Sequence, residues 1–117
     1  MFTEVTQTID TTPERAILRL QASYGIYRMF ITELRDAHTR KYRYYLLKDR
    51  WVEAGFDNSP DPRALHLKYG EIGRHAGELI PHLHRSNKQH LELTDQMTMT
   101  MFVQWLREHI PQQETAS

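Results

Sequence analysis

The stretch from Thr12 to Ala54, TPERAILRLQASYGIYRMFITELRDAHTRKYRYYLLKDRWVEA, constrains this chain more than any other. After Pro13 it contains no proline and a single glycine, Gly25. Ile17, Leu20, Tyr24, Tyr27, Ile31, Leu34 and His38 recur at alternating intervals of three and four, a heptad-like seam widened by Ala16 and Phe30. Thr11-Thr12-Pro13-Glu14 suits a helix start: threonine can cap, proline fits the first turn, and Glu14 meets the positive helix end. Past His38 the phase slips, and Tyr44, Leu47, Trp51 and Ala54 form a stripe on another side of the same helix. The spacing therefore predicts one long, mildly kinked helix.

The rest of the chain reads as shorter helices. Residues 55–61, GFDNSPD, form the clearest loop, with Asp61-Pro62 opening a second helix. That helix is expected to reach Ile80 with Leu65, Tyr69, Ile72, Ala76 and Leu79 on one face, weakened by Gly70, Gly73 and Gly77 and ended by Pro81. A last helix, beginning at Leu91 or Thr94 and ending at His109, carries two ridges. Met97, Met101 and Trp105 form one, and Met99, Val103, Leu106 and Ile110 the other. The alternation in MTMTMF admits a strand as the alternative. Residues 1–10 read as an N-terminal arm and 111–117 as a polar, disordered tail. The expected fold is one all-α domain over 1–117, a bundle of three to four helices.

Only 39% of the residues are hydrophobic and the mean hydropathy is −0.68, so a core built from them is thin. A thin core under long helices favours a homo-oligomer, most simply a homodimer. With no cysteine, disulfides and thiolate chemistry are excluded. The start lacks the basic and apolar regions of a signal peptide, and no apolar run approaches a membrane span. The expected location is the cytoplasm, without membrane association.

Net charge is zero, but residues 35–50 hold six basic and two acidic side chains. Within this band Arg40, Lys41, Arg43, Lys48 and Arg50 could meet phosphates or acidic groups, while Tyr42, Tyr44 and Trp51 could stack or anchor. The expected function is a non-enzymatic accessory or regulatory module. It binds nucleic acid or a nucleoprotein complex through this band. The alternative is a protein–protein adaptor or inhibitor that meets an acidic surface through the band and the Met/Trp helix.

Seven histidines are many for this length. Glu71, His75, Glu78 and His82 would share a helical stripe, but no HExxH, ExxH or HxxxH pattern occurs, so no metal or cofactor is assigned. Arg85-Ser-Asn-Lys-Gln-His90 resembles the R-x4-H pattern of the HEPN family of helical ribonucleases. That resemblance implies a phosphate-stabilising Arg85 and an acid–base His90, and makes an HEPN-like ribonuclease the second alternative. No Walker A, GxGxxG or G-x-S-x-G motif appears, and an enzyme is the less favoured class.

Overall fold

The computed structural model describes residues 2–111. The long helix predicted over 12–54 is instead a run of antiparallel strands, and the all-α bundle is overturned. Seven strands lie side by side in sequence order: β1 (Phe2–Thr11), β2 (Arg15–Tyr24), β3 (Tyr27–Asp36), β4 (Arg40–Lys48), β5 (Trp51–Asp57), β6 (His82–Arg85) and β7 (His90–Leu93). Two helices accompany them, α1 (Pro62–Tyr69) and α2 (Met99–His109).

The physical reason lies in period-two patterning and in short turns. On β3, Met29 and Ile31 are buried while Arg28, Phe30 and Thr32 face the other side. On β4, Tyr42, Tyr44 and Leu46 are buried, alternating with Lys41 and Arg43. Aromatic and β-branched side chains fit such pleated surfaces. Gly25, at φ +59°, makes the two-residue turn between Tyr24 and its cross-strand partner Tyr27. Asp49, at φ +53°, helps to make the equivalent turn between Lys48 and Trp51. The supposed seam is split between both faces of the sheet: Leu20 pairs with Ile31 on one, and Ile17 with Leu34 on the other.

One face carries the main core. Ala22, Tyr24, Met29, Ile31, Tyr42, Tyr44, Leu46, Ala54, Phe56 and Leu83 pack beneath α2, which buries Phe102 and Leu106 against them. Phe102 stacks on Tyr44 at 5.6 Å between ring centroids and meets Phe56 edge-on at 5.9 Å. Hydroxyl groups fasten the helix at both ends. Tyr24 donates to the Ile110 carbonyl at 2.7 Å, and Tyr42 accepts from the Met97 amide at 3.2 Å.

Among the described residues, the opposite face is covered only at its β6–β7 end, by α1. Ala64, Leu65 and Ile80 form a small second core there, with Leu91 against it. Asp61 caps α1 through Oδ1, which accepts from the Arg63 and Ala64 amides at 2.8 and 3.3 Å. The predicted second helix thus begins as expected but stops at Gly70, whose φ of +75° ends it after two turns. The expected N-terminal arm is edge strand β1, and the expected 55–61 loop is still strand through Asp57. Pro111 aside, the predicted tail lies outside the described residues. Among the described residues, no helix is long and apolar enough to cross a membrane.

Candidate metal centre and adjoining groove

The face not covered by α2 has a distinctive cross-strand order. Directly opposed residues of antiparallel strands share a face. One row runs Thr8, Arg19, Thr32, Arg43, Asp57, His82, Leu93 across all seven strands. The next runs Gln21, Phe30, Tyr45, Gly55, His84, Leu91. These rows bring together residues that are far apart in sequence.

Asp57, His82 and His84 form a tight cluster, their ligand-type atoms all within 4.8 Å of one another. All three are buried, at 6%, 1% and 3% exposure. His82 Nδ1 donates to the Ile80 carbonyl at 2.6 Å, and its Nε2 shares a hydrogen bond with the neighbouring imidazole. That Nε2 stands 3.1 Å from Nε2 of His84. Two imidazoles bound to zinc at about 2.05 Å with tetrahedral angles hold their nitrogens about 3.3 Å apart. A backbone carbonyl behind a ligating ring is also the usual outer support of a metal-bound histidine. His84 Nδ1 is buried without a partner, so the stabilisation available to that ring's nitrogens lies at Nε2.

The charges suit a cation. Burial, His82 and the Lys88 ammonium push His84 down to about 4, so its ring is neutral and able to ligate at ordinary pH. Burial pushes the Asp57 carboxyl up, but bonds from Ser59, the His82 charge and the Tyr45 hydroxyl outweigh it, and the group lies below its ordinary value. Asp57 is thus an anion beside the neutral His84 ring. Asp61 adds a second carboxylate. Its Oδ1 is occupied by the helix cap, and its Oδ2 lies 3.9 Å from both Nε2 atoms. Its side chain is 17% exposed, more open than the three clustered groups.

Beside the cluster lies a groove of about 330 Å³ lined by Phe30, Thr32, Arg43, Tyr45 and Leu47. Tyr45 and Arg43 join groove to cluster: the Tyr45 hydroxyl donates to Asp57 Oδ2 at 3.1 Å, and Arg43 Nε lies 3.6 Å from the same oxygen. Burial and the Asp57 charge raise the Tyr45 hydroxyl to about 12, which keeps it a donor. Gly55 makes room for the Tyr45 ring, because a β-carbon there would stand 2.7 Å from Cε2. The β6–β7 turn, with Ser86, Asn87 and Lys88 all at positive φ, docks on β5 through paired bonds between Asn87 and Val52. It sets Lys88 Nζ 5.3 Å from the Tyr45 ring centroid.

The predicted band is dispersed by the strand. Arg40 and Tyr44 lie under α2, where Arg40 donates to the Tyr44 hydroxyl and to the Met97 carbonyl, and Tyr44 is fully buried. Tyr42 is buried beside them. Lys41 and Arg43 face the other side, while Lys48, Arg50 and Trp51 sit at the β4–β5 turn. Of the predicted binding residues, only Arg43 enters the groove.

The histidine stripe is also corrected. His75 pairs with Glu78 at 2.9 Å on a short 3-10 turn, whereas His82 lies in a strand. Arg85 and His90 are cross-strand neighbours in a hairpin, without the helical scaffold an HEPN site implies. Arg85 instead covers the Trp105 ring and donates to the Glu53 carbonyl. The residues missed were His82 and His84 as a pair, with Asp57. Their signal was His-x-His within a short strand, since residues two apart share a strand face. Comparisons with protein-family models, curated proteins and solved structures returned no match.

Proposed function

We propose that this protein is a divalent-metal-dependent hydrolase, its ion held by Nε2 of His82, Nε2 of His84 and a carboxylate oxygen of Asp57. The observation that carries this reading is the convergence of two imidazole Nε2 atoms, 3.1 Å apart, beside a buried carboxylate. Two imidazoles and a carboxylate are a catalytic-type set, leaving a coordination position for water. Zinc is one ion that a set of two imidazoles and a carboxylate suits.

Asp61 supplies the proton acceptor. Its Oδ2 faces both rings from the more open side, while Oδ1 is fixed by the α1 amides. In hydrolysis the water oxygen bonds to the electrophilic centre of the ester and the bond to the leaving oxygen breaks. One water proton passes to Asp61 and then to that leaving oxygen. This reading departs from the non-enzymatic module expected from the sequence.

Elemental analysis and zinc titration test it, together with turnover of a phosphodiester reporter. One zinc per chain is expected, lost in His82→Ala and His84→Ala. Asp61→Asn is expected to retain zinc and lose turnover. A folded protein that takes up no zinc, manganese or iron at micromolar concentration overturns the assignment.

A further inference from the structure

The groove beside the cluster has a composition that the metal reading leaves unused. Phe30 is exposed at the surface, and its cross-strand partner Tyr45 is buried beneath it, so Phe30 alone presents an open ring on β3. Arg43 lies over the Tyr45 ring at 5.0 Å and is 57% exposed. Lys88 approaches the same ring from the β6–β7 turn. Further out in the polar row stands Arg19, exposed on β2, and Lys41 is exposed on the same face of β4.

Cations thus surround one exposed ring on an open surface that leads to the cluster. Arg43 reaches Asp57 itself, and two strand spacings of about 4.8 Å each separate its row position from that of His82. A phosphate paired with the Arg43 guanidinium would lie next to the ion.

We propose that the substrate is single-stranded nucleic acid, with one phosphate on Arg43 and an unpaired base on Phe30. Arg19, Lys41 and Lys88 meet the neighbouring phosphates. The assignment rests on the metal-dependent hydrolase reading, for which it names the substrate. A single strand fits better than a duplex because the Phe30 ring needs the face of an unstacked base. The partner is defined by a surface assembled from β2, β3, β4 and the β6–β7 turn, rather than by the continuous 40–51 segment.

The test is fluorescence anisotropy with labelled single-stranded DNA and RNA of about twelve nucleotides, a length within the usual span of such surfaces. Zinc-loaded Asp61→Asn protein keeps the probe intact, and wild-type protein in chelator gives a second measurement without cleavage. Phe30→Ala and Arg43→Ala are each expected to weaken binding about tenfold. Arg19→Ala is expected to lower the slope of log K against log salt by about 0.7. Arg107→Ala, on exposed α2 surface behind the sheet, leaves binding unchanged. Equal binding by wild type and the Phe30 and Arg43 variants, or a preference for duplex, overturns the proposal. Zinc content measured on the same samples separates the two failures. Zinc-free protein refutes the metal centre, whereas zinc-loaded protein that ignores the probes refutes the substrate.

Discussion

The Tyr45 ring lies against the bare α-carbon of Gly55, where a β-carbon would come within 2.7 Å of Cε2 and 2.9 Å of two further ring atoms. The missing side chain lets Tyr45 lie over β5 and reach Asp57 at its end. Gly55→Ala is expected to displace the ring and to cost about 1–3 kcal/mol, the usual range for overpacking. Denaturant unfolding of a double-mutant cycle checks the cause. The same substitution is expected to cost much less in a Tyr45→Ala background.

Asp61 has two separable duties, one for each carboxylate oxygen. Asp61→Asn keeps an oxygen to accept from the Arg63 and Ala64 amides, so stability is expected to stay within about 0.5 kcal/mol. Asp61→Ala loses the cap and is expected to cost about 1 kcal/mol. Both variants lose the carboxylate near the two imidazoles, so both lose turnover. Thermal unfolding and reporter hydrolysis, measured side by side, read the two duties independently.

Asn58 continues the pairing of β4 after β5 has ended. Fully buried, it accepts from the Tyr42 amide at 2.9 Å and donates to the Arg40 carbonyl at 2.8 Å. Asn58→Ala leaves a buried amide and a carbonyl without these partners, each at about 1–3 kcal/mol. A total loss of roughly 2–5 kcal/mol is expected by urea denaturation. Ser59→Ala, next to it in the loop, keeps its backbone bond to Asp57 and serves as the comparison.

Stability of the metal-free protein is expected to fall in mild acid. The His84 ring sits at about 4 in the fold, against about 6.5 for a free imidazole. Between those values the unfolded chain binds more protons, so stability rises with pH across the window and is lost as pH falls through it. The loss amounts to roughly 3 kcal/mol by pH 4. The lowered Asp57 carboxyl extends the same trend to still lower pH. Unfolding free energies from pH 4 to 8 check this, and His84→Gln is expected to flatten the segment between 4 and 6.5.

Local signals gave the start of α1 and the helical state of residues 99–109, though not the face that α2 buries: Phe102 lay on neither expected ridge, and Met101, expected on one, is exposed. Asp61-Pro62 signals a helix start through groups within three residues of one another, and the apolar residues of Met99–His109 at helical spacing signal a helix. The strands misled for a physical reason. Leu20, Tyr24, Tyr27 and Ile31 satisfy a period of three and four because Gly25 and Ile26 form a turn that folds β3 back onto β2. A hairpin placed at those intervals imitates a heptad.

The band from Arg40 to Trp51 shows the same division. Its residue types are set by sequence, but a strand sends alternate side chains to opposite faces. Arg40 and Tyr44 therefore go under α2, and Arg43 and Tyr45 go to the groove. The sequence by itself determined the charge band, the absence of cysteine, the α1 cap and the helical state of α2, because each is a matter of composition or near neighbours. Only the tertiary structure decided the sheet, its register and the meeting of Asp57 with His82 and His84. That meeting depends on hydrogen-bonded pairing across a separation of 25 residues, about which neither segment carries any local sign.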